Sequence, residues 1–247
     1  MHPILFKLGP VTIYTYGVFV FLGVVAGYFV AAREAQKQGI DKNIFSNIAF
    51  WLIISAFLGA KILYILVEFQ YFLKAPLTMI RTGFVFYGGI ISAIACLYFL
   101  TKKYKINFLQ FADCVALGIP LGHAFGRLGC FFYGCCYGKA YEFGICLLFP
   151  PSSPAGFGGL KVLPTQLISS LVLLLIFFGL FFFIKFKKFD GQIFFCYLVF
   201  YGLFRFVMEF FRGDPRGYIL FLSTSQFISL ILIAAGIFML YRQRSSS

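Results

Sequence analysis

Charge is scarce in this chain. Asp, Glu, Lys and Arg make up only 12% of its 247 residues, and just eight of these are acidic. A soluble domain needs a charged, polar shell. With 61% hydrophobic residues and a mean hydropathy of +0.92, this composition does not supply one. The class that remains is an all-α, polytopic integral membrane protein. The net charge of +13 does not point to a nucleic-acid partner, because the basic residues sit in short clusters between apolar segments, as membrane topology requires. A cleavable signal is lacking: MHPILFKLGP has no basic stretch followed by a short apolar core and a small-residue cleavage site, so the first span is expected to stay in the mature protein. No soluble domain is visible at either end, and the tail RQRSSS is too short to be one. No internal repeat is visible either, which disfavours the repeat architecture of many transporters. Histidine occurs only at His2, which is terminal and uninformative, and at His123.

What the chain does have is a series of long apolar runs. A span needs about 20 mostly apolar residues. Seven segments qualify, roughly 12–32, 46–68, 83–101, 110–132, 165–184, 191–211 and 219–240, and they predict a single transmembrane domain over residues 1–247. The fourth is interrupted by Gly118, Pro120, Gly122, Gly126 and Gly129, so a tilted or broken helix is expected there. One set of connections carries eleven basic residues, among them Arg33, Lys37, Lys102, Lys103, Lys187, Lys188 and Arg242. The opposite set carries seven: Lys7, Lys74, Arg81, Lys139, Lys161, Arg212 and Arg216. The positive-inside rule then puts the N-terminus outside and the C-terminus in the cytoplasm. The longest connection, about 133–164, lies outside, where its rigid Phe149–Pro154 segment reads either as a lid or as a turn.

In this topology the unusual polarity gathers in the outer half of the bilayer. The stretch Gly122–Gly138 sets His123 and Arg127 inside an apolar run with five glycines in seventeen residues. A charge at bilayer depth costs at least about 2.5–3.5 kcal/mol, so it faces a cavity, a partner or a ligand. In the sixth segment Tyr201, Arg205, Glu209 and Arg212 recur at helical spacing on one face. Two arginines at one cavity suggest a bound anion, since guanidinium matches phosphate or carboxylate with a bidentate fork; in the outer leaflet that anion is a phospholipid headgroup. The alternative is helix glue, with Arg205 paired to Glu209 and Arg127 paired to Asp113 or Glu68. His123, one turn before Arg127, is either a proton acceptor or a packing histidine. Cys130, Cys135 and Cys136 beside it fit no zinc spacing, and no metal or organic cofactor is expected. Arg127 could activate a cysteine nucleophile, but small packing residues or a local disulfide are the plainer reading. Gly83, Gly88 and Gly89 around Tyr87 read as close helix packing.

Four stretches carry a resemblance: Tyr16-Gly17, the FYGG of 86–89, the Gly-Arg-Leu-Gly of 126–129 with Gly134 and Gly138 behind it, and YGLFRFVMEFFRGDPRG at 201–217. The last two are specific in their order and spacing. The chain resembles the prolipoprotein diacylglyceryl transferases of bacteria over nearly its whole length, and seven spans with an outside N-terminus fit that family. The resemblance implies a transferase of lipoprotein biosynthesis in the bacterial cytoplasmic (inner) membrane. Its partners would be phosphatidylglycerol and prolipoprotein signal peptides. The diacylglyceryl group would pass to the lipobox cysteine thiol on the outer leaflet, forming a thioether and releasing glycerol phosphate. Carried across residue by residue, Arg127 matches the signature arginine and Arg205 the essential arginine of the sixth span, while Glu209, Tyr201, Tyr16 and Gly138 match further motif positions. Arg127, Arg205, Tyr16, Tyr201 and Gly138 are the expected lipid-binding set.

The chain also departs from the family pattern. Tyr87 stands where many members have the histidine proposed as base, and Cys130 where many have asparagine. Leu163–Ser169 keeps the Pro-Thr-Gln-Leu of the family's His-Pro-Ser/Thr-Gln-Leu-Tyr-Glu motif but not its histidine, tyrosine or glutamate. The expectation is therefore that His123 removes the thiol proton and Tyr87 donates a hydrogen bond to the headgroup, with Arg127, Arg205 and Glu209 completing the catalytic set. The base need not be strong: a thiol of pKa about 8.5 costs roughly 2 kcal/mol to ionise at pH 7. The alternatives are a paralogue acting on another thiol or lipid, and a non-enzymatic anion or lipid transporter.

Overall fold

A computed structural model describes residues 4–9, 11–81, 83–140, 145–151, 153–156, 158–213, 217–219 and 221–245. His2, Ser152 and Arg216, all considered above, lie outside the described residues. The chain divides into two compact units, one of residues 1–31 and 112–247 and the other of residues 32–111.

Among the described residues, six helices are long and apolar enough to cross a membrane: α1 (Thr15–Lys37), α2 (Lys42–Val67), α6 (Phe108–Tyr133), α7 (Thr165–Phe183, extended by a 3-10 turn to Phe186), α8 (Gln192–Glu209) and α9 (Thr224–Ser245). The chain is thus a multi-pass membrane protein. The predicted third span is a helix as well, α5 (Phe86–Tyr104), but it falls outside that set of six. Two short helices, α3 (Phe69–Lys74) and α4 (Pro76–Arg81), join α2 to α5.

The all-α expectation needs amending, because three short antiparallel ribbons are present. They are β1 (Ile4–Leu8) with β2 (Val11–Tyr14), β3 (Leu147–Leu148) with β4 (Lys161–Val162), and β5 (Tyr218–Ile219) with β6 (Leu222–Ser223). Val11-Thr12-Ile13 is a β-branched run suited to a pleated strand, and Gly9 at φ +58° makes the turn before it. The first and last predicted spans accordingly begin a few residues late, at Thr15 and Thr224.

Helix α7 shows why the unit needs lipid. Leu171, Leu175, Phe178 and Phe182 are all at least half exposed, at i, i+4, i+7 and i+11. On the opposite face Thr165, Gln166, Ser169 and Ser170 are buried. Polar inside and apolar outside inverts the soluble pattern.

Helix α6 is continuous through Pro120, so of the expected alternatives, tilted or broken, the break does not occur. Its glycines serve packing instead. A Cβ on Gly118 would lie 2.4 Å from the Gly27 carbonyl oxygen, and one on Gly23 would lie 2.7 Å from that of Gly122. The Gly-x-x-x-Gly pairs of α1 and α6 therefore bring the two backbones into contact.

At the start of α6, Asp113 is fully buried. It accepts from the backbone N–H groups of Gly191 and Phe194, both at 2.8 Å, and pairs with Lys187 at 2.9 Å. It therefore caps the N-terminus of α8, whose first N–H groups have no helical partner. Burial works against the Lys187 ammonium, but its hydrogen bonds to Asp113 and Asp190 outweigh this and leave it above the usual lysine value. Of the two partners that the helix-glue alternative offered Arg127, Asp113 or Glu68, the first is thus ruled out, since its carboxylate is committed elsewhere.

In the other unit, Gly88 and Gly89 pack α5 on α2: a Cβ on Gly88 would lie 2.3 Å from the Gly59 oxygen, and one on Gly89 2.9 Å from that of Ala56. Ser92 adds a hydrogen bond to the Ser55 oxygen at 2.7 Å. The intramembrane Lys61 donates to the carbonyls of Met79 (3.1 Å) and Gly83 (2.9 Å) and sits 4.3 Å from the Phe84 ring centre. It fastens the α4–α5 connection to α2.

Candidate active site

The second half of α6 carries His123 and Arg127 and ends in a Schellman turn. Gly134, at φ +80°, donates its N–H to Phe131 (3.2 Å), and Cys135 donates to Cys130 (3.1 Å). This geometry brings the third residue before the cap next to the second after it, here Cys130 to Cys135. Cys136 follows at φ +63°, and all three sulfurs come within 4.8 Å of one another.

The segment after the turn is held in place from α7 and α8. The Gln166 amide donates to the Cys135 carbonyl at 2.8 Å, and the Thr165 hydroxyl to that of Cys136 at 2.8 Å. Gly138 donates to the Leu163 carbonyl at 2.9 Å and bridges to Arg212. Lys139 donates to Phe211 at 2.9 Å, and Gly213 to Tyr137 at 3.2 Å. Only a glycine fits at 138, because a Cβ would stand 2.8 Å from each of Leu163 Cβ, the Phe211 oxygen and Thr165 Cγ2. The docking brings the Arg212 side chain into a hydrogen bond with Cys136. Hydrogen bonds from the Cys130 and Cys135 thiols, and then Arg212, hold the Cys136 thiol well below the usual cysteine range; the same thiol contacts push Cys135 up. None of the seven cysteines forms a disulfide.

On α8, Arg205 is buried and pairs with Glu209 at 2.7 Å, as the i,i+4 spacing predicts. It also donates to the Ser225 hydroxyl of α9 at 2.8 Å. Small residues let α9 approach: a Cβ on Gly202 would lie 2.8 Å from Ile233 Cγ1. The Tyr201 ring lies 5.6 Å from that of His123 and 5.6 Å from that of Tyr197. The charges of Arg127 and Arg205 both reach the His123 imidazole. Tyr16, at the start of α1, packs on Gly129, where a Cβ would lie 3.1 Å from its ring, and interacts electrostatically with Arg127.

One unit therefore gathers Tyr16, His123, Arg127, Gly138, Tyr201, Arg205 and Glu209. Tyr87 belongs to the other unit, at the second residue of α5, half-exposed with its ring edge against Phe86. The Arg127 Nε is buried with no hydrogen-bond partner among the described residues. A buried donor left unsatisfied costs about 1–3 kcal/mol, more when charged, so this guanidinium is poised for an acceptor from outside the chain. A cavity of about 720 Å³ opens beside the long loop, lined by Tyr133, Tyr137, Gly138, Lys139, Pro154 and Gly213 among others; neither arginine of the α6–α8 pair lines it.

The family model for prolipoprotein diacylglyceryl transferase matches residues 3–242. The chain belongs to the prolipoprotein diacylglyceryl transferase family. It is 40% identical over 241 residues to the phosphatidylglycerol–prolipoprotein diacylglyceryl transferase of Clostridium tetani, covering 96% of each chain. It is 36% identical to that of Finegoldia magna, over 96% of this chain and 94% of the other. It is 35% identical to enzyme 2 of that name from Clostridium perfringens, over 96% and 93%. Three residues to which the sequence assigned no role do much of the positioning in this family member: Gln166 and Thr165, noted above only as part of a family motif, and Ser225. A signal for the first two was present, because Thr-Gln followed by Ser-Ser at i+4 opens an otherwise apolar helix and marks a buried polar face.

Proposed function

We propose that this chain moves the diacylglyceryl group of phosphatidylglycerol to the lipobox cysteine of prolipoproteins. The observation that carries this reading is the Arg127 guanidinium, whose buried Nε has no hydrogen-bond partner among the described residues, in a site with a second arginine already oriented by Glu209 and Ser225. Family membership supports the reaction. Arg127 and Arg205 bind the lipid phosphate and stabilise the charge that grows on it as it leaves. Tyr16 and Tyr201 line the headgroup, and Gly138 keeps the Cys136–Arg212 wall of the site in place. His123 takes the thiol proton. The sulfur forms a bond to the glyceryl carbon as that carbon's bond to the phosphate oxygen breaks, and glycerol phosphate departs with the electron pair. Seven spans, with α5 as the third, and the excess of basic residues in one set of connections put the N-terminus outside and the site at the outer leaflet of the bacterial cytoplasmic membrane.

The test is mass spectrometry of a lipobox peptide incubated with the purified chain and phosphatidylglycerol. A diacylglyceryl mass increment on the cysteine, absent from a serine-substituted peptide, is expected. A folded enzyme that yields no increment with this lipid and peptide overturns the assignment. A His123→Ala enzyme with full activity from pH 6 to 8 would remove histidine from the proton step.

A further inference from the structure

Cys130, Cys135 and Cys136 have no part in the transfer chemistry, yet the fold brings them together. We propose that these three thiols bind one soft, thiophilic metal cation of the Cu(I), Zn(II) or Cd(II) class. Their sulfurs all lie within 4.8 Å of one another, and no other such group of metal-ligating side chains forms among the described residues. With metal–sulfur bonds of about 2.3 Å, three sulfurs around one cation stand about 3.8–4.0 Å apart. The cluster therefore needs a contraction of at most about 1 Å. A disulfide needs about 2.05 Å and would leave the third thiol over.

The backbone already holds the ligands. Cys130 and Cys135 are joined through the Schellman turn, and Cys136 is turned back by its positive φ. The carbonyls of Cys135 and Cys136 are fixed by Gln166 and Thr165. Arg212 hydrogen-bonds the Cys136 sulfur, the outer partner that orients a metal-bound thiolate. An all-sulfur set favours a soft cation over magnesium or calcium. On binding, the cation sheds water and each thiol releases its proton to solvent. The Cys-x4-Cys-Cys spacing matches no zinc pattern because the turn, not the spacing, assembles the site.

The full-length reduced protein in detergent is titrated with Cd(II) in excess Mg(II), following the sulfur-to-cadmium charge-transfer absorbance and the metal retained after gel filtration. One cadmium per chain is expected, lost in Cys130→Ser, Cys135→Ser and Cys136→Ser and retained in Cys146→Ser. In the unmutated protein, cadmium is expected to block alkylation of all three cluster cysteines but not of Cys146, a readout independent of how the variants fold. No stoichiometric uptake by the unmutated chain, uptake that survives Cys130→Ser, or unchanged alkylation of the three would each overturn the proposal. None of these readouts depends on transferase activity.

Discussion

Gly138→Ala should damage the enzyme through the docking of the long loop. The added Cβ would meet Leu163 Cβ, the Phe211 oxygen and Thr165 Cγ2, each at 2.8 Å. Ordinary contact begins near 3.4 Å, so each must retreat by about 0.6 Å. None is the free end of a long side chain. The Phe211 carbonyl accepts from Lys139, and Thr165 holds the Cys136 carbonyl. Overpacking of this kind costs about 1–3 kcal/mol. For a chain of this length that is a fall in Tm of about 2–12 °C. The larger effect is on chemistry. The strain displaces the Cys136–Arg212 wall, and a misplacement of about 1 Å near a reacting centre costs roughly 100-fold in rate. The assay is kcat/KM for lipobox peptide modification beside a thermal melt. Gly179→Ala is the control: its Cβ would meet nothing within 4 Å, and glycine in a helix interior is worse than alanine by about 1 kcal/mol. It should keep full activity and melt slightly higher. A Gly138→Ala enzyme with unchanged kcat/KM and Tm would refute the packing argument.

Asp113→Ala should destabilise by about 1–3 kcal/mol, because it removes the acceptor of the Gly191 and Phe194 N–H groups and leaves Lys187 with Asp190 as its ion-pair partner, with KM for phosphatidylglycerol unchanged; a Tm within about 1 °C of the parent would contradict this. Because the Lys187 pKa is raised, its contribution is fully present below the unfolded lysine value of about 10.4 and lost as pH climbs through the higher folded value. The Tm deficit of Lys187→Met should therefore be constant from pH 6 to 9 and shrink only above about 10.4, and a deficit that already shrinks between pH 7 and 9 would count against it. Gln166→Leu removes the donor to the Cys135 carbonyl and should cost about 1–3 kcal/mol in stability, read as a lower midpoint in thermal or denaturant melts; an unshifted midpoint would show the anchor to be dispensable.

Much of the α-helical plan was legible because hydrophobic runs of span length have few other uses. Helix α7 starts at Thr165 where its run begins, and the Arg205–Glu209 pair follows from spacing alone. Long-range commitments were not legible. Asp113 looked available to Arg127 until the fold placed it against Gly191, 78 residues on. The glycines of α6 read as a tilt or a break, since sequence cannot show that Gly23 and Gly27 lie opposite them. The cysteine cluster depends on two positive φ angles and on an anchor from Gln166, 31 residues away. The strand at Val11–Tyr14 was absorbed into the first apolar run, because periodicity cannot separate a short strand from the end of a helix.

The central claim is that two arginines hold the lipid phosphate through the transfer, and it is tested most directly by the rate of glycerol phosphate release from phosphatidylglycerol in the presence of lipobox peptide. Arg127→Ala and Arg205→Ala should each reduce that rate by at least about 100-fold, the scale for losing one donor to a developing anion. Both variants should remain folded by thermal melt. A folded Arg127→Ala enzyme that releases glycerol phosphate at the parent rate would contradict the account.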